Sequence, residues 1–461
     1  MNLAPIASFT RLLLAGAAAL GLAGAAAAQD LVHKAPPQTT PIAIVGATIH
    51  PIDAEPIENG WILFENGVIT DMGAGRPPSS ETARIINAPG RHVYPGLVAP
   101  YTQLGLTEIE AVRATRDHTE VGAVSPEVVA AVAVNPDSTL FPVTRANGIL
   151  TAGVFPRGGS IPGRASVLRL DGWTYEDMTV LADAGLVVSW PWMRPVRSWW
   201  MDQSDEEQMR SIRERTAAIE SAFIQAGAYL AAKEAGEDDP TDLRWEAMRG
   251  ALGKTDGGGR TPVFIEANEY DQIVAAVAFA QRFGLRAVIV GGRDAALCAD
   301  LLKRHDIPVI VSGTFRFPKR DDSPYDDAFT LPARLQEAGV RWTLATGDDT
   351  AHERNLPYAA ALAVAYGLDP DDALRAITLS AAEILGVGGR LGSLAKGKSA
   401  TLIVTDGNPL EVTTNVEMAF IDGREIDLNN KHRELERKYR ERYRQLGEAV
   451  PAAERTAGRP E

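Results

Sequence analysis

The sequence predicts a mixed α/β chain whose central sheet is parallel and long enough to close into an eight-stranded barrel. Two observations carry that expectation. Val263 to Ala267, Ala287 to Val290, Pro308 to Ser312 and Val340 to Thr346 read as strands, and Asp271 to Phe283, Ala295 to Lys303 and Pro332 to Ala338 between them read as helices. Strands separated by amphipathic helices imply right-handed crossovers and a parallel sheet. The stretch from Val93 to Leu385 is also long enough for a closed barrel, which takes about 250 residues. The rival is an open doubly wound sheet, disfavoured because no glycine-rich fingerprint opens a first βα turn.

At the N-terminus, Arg11 precedes a run of Leu, Ala and Gly from Leu12 to Ala27 that closes with Ala26-Ala27-Ala28. That run is shorter than the roughly 20 residues of a spanning helix and reads as a signal peptide over 1–28, which predicts a periplasmic or secreted protein without a membrane span. Next, Ile42 to Val45, Trp61 to Phe64 and Val68 to Met72 read as strands, separated by Glu58-Asn59-Gly60 and Glu65-Asn66-Gly67. Asn-Gly between apolar strands is a hairpin signal. Ser204 to Glu207 reads as a capping box opening a long helix toward Lys233, most simply an inserted surface helix. Gly392 to Asp406 and Val416 to Arg424 return to short strands that could complete the first sheet. The charged segment 428–461 reads as a helical tail with Leu435, Tyr439 and Tyr443 on one face, and Val450 to Glu461 as disordered.

The chain has 461 residues, 45% hydrophobic and 23% charged, which excludes a mainly disordered or collagen-like protein. Its net charge of −14 argues against nucleic-acid binding, which needs a basic footprint. The single cysteine, Cys298, rules out an intrachain disulfide and reads as a buried thiol.

Four stretches together resemble the amidohydrolase superfamily, in particular its imidazolonepropionase-like, periplasmic branch. They are Gly46 to Ile49 with Glu65 to Ile69; Tyr94-Pro95-Gly96-Leu97-Val98; Leu344 to Asp349; and Asn355 to Gly407 almost throughout, including Ala381 to Gly386 and Gly392 to Ala400. The resemblance is weakest between about Trp190 and Thr261. It implies a TIM-like (β/α)8 barrel over 94–389, with the long helix inserted around 204–235. It also implies a β-sandwich built from 40–93 and 390–427.

The resemblance further implies hydrolysis of a C–N bond by one or two divalent metals, with an Asp at strand eight moving the proton. The metal ligands it implies are a His-x-His at strand one, a Lys or carboxylate at strand four, and a His each at strands five and six. Where the His-x-His is expected this chain reads Ala99-Pro100-Tyr101-Thr102-Gln103. Glu266 falls at the strand-five position, and strand six ends Val290-Gly291-Gly292-Arg293 without a His. Of the chain's seven histidines only His118 and His352 lie in segments that follow strands of the barrel. The metal is therefore left unassigned. Oxygen ligands from Glu266 and Asp349 with His118 could suit Mg, Ca or Mn, and a dinuclear zinc site is not expected. Asp349 is the expected strand-eight acid/base, with Asp348 as its off-by-one rival.

Two charged stretches, Thr115 to Glu120 and Asp348 to Arg354, follow strand ends, where barrel active sites form. They place Arg116, His118 and His352 beside Glu266 as candidate substrate-binding residues. Arg157 joins them from Arg157 to Gly163, which resembles a loop of the same branch and whose glycines would let backbone N–H groups approach a ligand. Three functions follow. The first is hydrolysis of a small amide, cyclic amide or dipeptide-like molecule. The second is an inactive family member that binds a ligand, self-associates or partners an active paralogue. The third is metal-free, glycosidase-like hydrolysis by Glu266 and Asp349.

Overall fold

The computed structural model describes residues 33–447 apart from 78–81, 199–200, 239, 254–258 and 348. The leader at 1–28, the segment from Val450 and the candidate Asp348 lie outside the described residues. Among the described residues, no helix is long and apolar enough to cross a membrane.

Two eight-stranded sheets organise the described residues. The first takes β1 (Ile42–Ile49), β2 (Ile57–Glu65), β3 (Val68–Ala74), β4 (Arg84–Asn87) and β5 (His92–Pro95) from one end. From the other it takes β14 (Leu402–Thr405), β15 (Val416–Ile421) and β16 (Arg424–Glu425). The two ends meet where β14 pairs antiparallel with β5, Ile403 opposite Tyr94. β1 pairs with β2 along one edge, and with β4 and then β5 along the other. Ile44, Ile62, Phe64, Val93, Leu402 and Phe420 form its fully buried core. Asn66 and Gly67 have φ of 52° and 79°, the two left-handed residues that a tight β2–β3 hairpin needs. Asn59-Gly60 does not separate two strands. It lies inside β2, where the pairing with β1 shifts register and Asn59 takes φ 44°.

The second sheet is the barrel, running from β6 (Leu97–Thr102) through β7 (Ile149–Val154), β8 (Gly163–Arg169), β9 (Thr179–Ser189), β10 (Val263–Ala267), β11 (Ala287–Gly291) and β12 (Val309–Ser312) to β13 (Trp342–Ala345). It departs from a regular (β/α)8 pattern at its third strand. β8 is antiparallel to both neighbours, whereas the other pairs are parallel. Alternation sorts the side chains: Val263 and Ile265 face the surrounding helices, while Phe264 faces the bore with Val98, Val167, Val187, Val288 and Ile310. At the strands' N-terminal ends the bore is closed by the segment leading into the helix Leu379–Ile384. There Val98 N–H donates to Ile377 O (2.8 Å) and the Thr343 hydroxyl to Ala376 O (2.6 Å).

The helix Asp205–Glu234 starts at a complete capping box, Ser204 with Glu207. It is a packing element of the barrel wall rather than a surface appendage. Ile219, Ala222, Phe223 and Ala226 are buried, and Phe223 meets Phe279 edge-on with ring centroids 5.0 Å apart. The helix expected to start at Pro332 starts earlier, at Asp327, and carries Pro332 inside it. The helix Lys431–Gln445 of the tail buries no residue. Cys298 is buried, and burial pushes its thiol up to about 11.

One pH effect arises in the first sheet. His50 Nε2 and His92 Nδ1 lie 3.0 Å apart, and His50 stacks on Tyr94 with ring centroids 4.1 Å apart. Burial, then His92, lowers the His50 pKa from 6.5 to about 4. The unfolded chain therefore binds this proton first, so the contribution is complete above pH 6.5 and is lost as pH falls toward 4. His50→Gln is expected to flatten that part of the wild-type melting-temperature profile. Parallel profiles for the two proteins would refute it.

Candidate functional site

The C-terminal ends of the barrel strands gather one polar cluster. Alternation puts Glu266 on the bore side two residues beyond Phe264, and Ser189 likewise beyond Val187. Tyr101, near the end of β6, is packed on Phe155, which packs edge-on against Phe264. The Tyr101 hydroxyl donates to Glu266 Oε1 (2.6 Å), and the Ser189 hydroxyl donates to Oε2 (2.8 Å). Arg157, in the loop joining β7 to β8, donates through Nε and Nη2 to the Tyr101 oxygen, each at 3.3 Å. Burial and then the Glu266 carboxylate raise the Tyr101 pKa, so the phenol stays a proton donor. Arg157 is an exposed residue whose guanidinium end is partly enclosed. That enclosure opposes the charge, yet Tyr101 and Glu266 raise its pKa.

His118 is held beside this cluster. Its backbone oxygen accepts from Arg157 N–H (2.6 Å), and its Nδ1 lies 2.9 Å from the Thr107 hydroxyl. Burial lowers its pKa, with Arg157 and Arg116 adding to that effect and Glu110 and Asp117 opposing it. Arg116 is exposed, 4.0 Å from Glu110. Asp349 and His352 are exposed on the turn after β13, where Asp349 Oδ1 accepts from Ala351 N–H (3.1 Å) and so caps Thr350–Asn355. The structure therefore joins Arg157 and Glu266 through Tyr101, brings His118 alongside, and leaves Arg116, Asp349 and His352 at the exposed rim.

The glycines after Arg157 are held in close contact with the 118–125 segment. A Cβ on Gly158 would lie 2.4 Å from Thr119 Cγ2, and one on Gly159 would lie 2.9 Å from Ala123 O. Ser160 and Ile161 N–H both donate to Ala123 O, at 2.7 and 3.0 Å. These residues clamp the 118–125 segment over the barrel, which accounts for the glycines by close packing.

Tyr101 and Ser189 were not singled out by the sequence. A tyrosine at the end of an apolar strand reads as core, although Tyr101 stands in the stretch where the resemblance expects metal ligands. Around Glu266 the structure gathers two hydroxyls and a guanidinium. Both Glu266 oxygens already accept hydrogen bonds, and the Arg157 cation stands beside them. Among the described residues, no three His, Cys, Asp or Glu side chains converge on a point.

Comparison with known proteins agrees with the barrel. The amidohydrolase family profile matches residues 279–426. Amidohydrolase tasK from Hapsidospora irregularis is 25% identical over 405 residues, which is 79% of this chain and 39% of that protein. An imidazolonepropionase from Syntrophobacter fumaroxidans is 42% identical over 77 residues, 16% of this chain and 18% of that enzyme. The chain thus spans well under half the length of these two curated relatives. The crystal structure of an amidohydrolase from Thermotoga maritima is 26% identical and superimposes with a TM-score of 0.73, covering 84% of this chain and 99% of that one.

Proposed function

The chain belongs to the amidohydrolase superfamily, and we propose that its barrel mouth binds a small amide-type ligand through protein side chains alone. The observation that carries this reading is the Tyr101–Glu266–Ser189 network with Arg157 on its open side. A carbonyl oxygen entering from the mouth would take its hydrogen bonds from the Arg157 guanidinium, and Glu266 would hold Tyr101 and Ser189 in place. The chain is then a ligand-binding member of its family, or the partner of an active paralogue, exported through its N-terminal segment.

A second reading is hydrolysis of the bound C–N bond, with Asp349 moving the proton. What favours it is the place of Asp349, just after β13 on the ligand-facing end of the barrel.

Elemental analysis separates the two. The protein is purified without chelator and analysed before and after incubation with Zn, Mn and Mg. The expected result is metal well below one equivalent per chain, unchanged in Asp349→Ala, and no turnover of small amides or dipeptides. Near-stoichiometric metal that Asp349→Ala removes would overturn the proposal in favour of metal-dependent hydrolysis.

A further inference from the structure

A second charged cluster lies where the loops after β11 and β12 meet, and it shares no residue with the Tyr101–Glu266–Arg157 site. Asp294 is engaged elsewhere: its carboxylate accepts both Arg320 Nη nitrogens at 2.9 Å and Tyr270 N–H at 3.0 Å. Asp327 accepts from Arg334 Nη2 at 2.8 Å. Lys319 pairs with Glu269 and sits over the Trp192 ring. Two guanidinium groups are left over. Both terminal nitrogens of Arg316 are buried without a hydrogen bond, and the nearest carboxylate oxygen, on Asp327, is 4.0 Å away. That is beyond hydrogen-bond reach. Among the described residues Arg293 likewise shows no hydrogen bond, and its Nε is buried without a partner.

Buried guanidinium donors without acceptors are costly, and two of them side by side repel. Burial, and then Arg293, lowers the Arg316 pKa to about 10; burial likewise lowers that of Arg293. Over the cluster opens a cleft of about 170 Å³ lined by Arg293, Arg320 and Arg334, with Asp294, Asp322 and Asp327 also on its wall. This is less than the roughly 300 Å³ of a whole small-molecule site and suits one planar or tetrahedral anionic group. Arginine forks match carboxylate and phosphate oxygens in geometry as well as charge.

We infer that this cleft is an oxyanion subsite that takes a carboxylate or phosphate group on Arg293, between Arg320 and Arg334 and with Arg316 behind. It stands independently of the ligand proposed for the barrel mouth.

The test is thermal unfolding of the full chain in chloride, acetate and phosphate at equal ionic strength and pH. Acetate or phosphate is expected to raise the wild-type Tm by about 2 °C or more over chloride. An increment from phosphate alone assigns a phosphorylated ligand, and one from acetate assigns a carboxylate. Arg293→Gln is expected to melt at the wild-type temperature or above it in chloride, because it removes a repulsion and no hydrogen bond. It is expected to lose the oxyanion increment, with Arg293→Lys retaining part of it. Three outcomes would overturn the inference. They are no wild-type increment, an increment of full size in Arg293→Gln (a general salt effect), or a lower Tm for Arg293→Gln in chloride (a structural prop).

Discussion

Asp171→Asn is expected to destabilise the chain by about 3–5 kcal/mol, the cost of removing one partner from a buried charge network. Arg145 and Asp171 are each about 1% exposed and pair at 3.0 Å, and Arg145 Nη1 also donates to Leu170 O at 2.8 Å. Arg424 reaches the other Asp171 oxygen at 2.9 Å. The three residues come from the helix Leu140–Arg145 ahead of β7, the end of β8, and β16, so one carboxylate ties the barrel to the terminal sheet. An asparagine keeps one acceptor for two guanidinium groups and none of the charge. Urea denaturation monitored by circular dichroism measures the loss. A change below about 1 kcal/mol would mean that backbone carbonyls are enough to hold Arg145. The exposed Arg197–Asp205 pair, 83% and 46% accessible, is the contrasting case, where removal is expected to leave the urea midpoint unchanged because solvent screens both charges.

Gly313→Ala is expected to cost about 2–5 kcal/mol. Gly313 has φ +73°, and a Cβ there would lie 2.1 Å from Thr346 O; Gly347 has φ +68°, and its Cβ would lie 2.6 Å from Ser312 O. The chain crosses itself at these two glycines just after β12 and β13. The left-handed backbone accounts for about 1–2 kcal/mol, and forcing two backbones apart adds about 1–3. The loop displaced after β12 carries Arg316 and Arg320, so the oxyanion increment in Tm is expected to shrink as well. Gly75→Ala isolates the backbone part, since Gly75 has φ +76° and nothing within 4 Å of a Cβ. Equal losses in the two variants would show that the crossing itself is not tight.

Much of this architecture is legible in the sequence because it rests on local chemistry. The strands from Val263 onward are apolar runs between amphipathic helices, and the Asn66-Gly67 turn needs two residues that tolerate positive φ. The inverted third strand is encoded less directly. Only Phe155 to Pro162 separates β7 from β8, too short for the crossover that a parallel neighbour needs, which is a property of spacing rather than of any residue. At the site, Glu266 could be placed on the fifth strand because it stands where the resemblance expects a ligand, but which way it faces could not. Tyr101 could not, because its hydroxyl matters only once β6 and β10 face each other across the bore. The Arg293–Arg316 cluster is equally tertiary: its members come from two loops that only the pairing of β11 with β12 brings together.

The terminal sheet imposes an order on biogenesis. A ribosome makes β1 to β5 before the barrel and β14 to β16 after it, so the edge of β5 that Ile403 and its neighbours cover stays bare while the entire barrel is synthesised. The nascent molecule therefore carries an open strand edge, able to pair with the wrong chain, until β14 emerges. A stop codon ahead of Leu402 would leave that edge unpaired permanently, so losses from the last strands should reach the cell as aggregation and degradation rather than as a milder form of the protein.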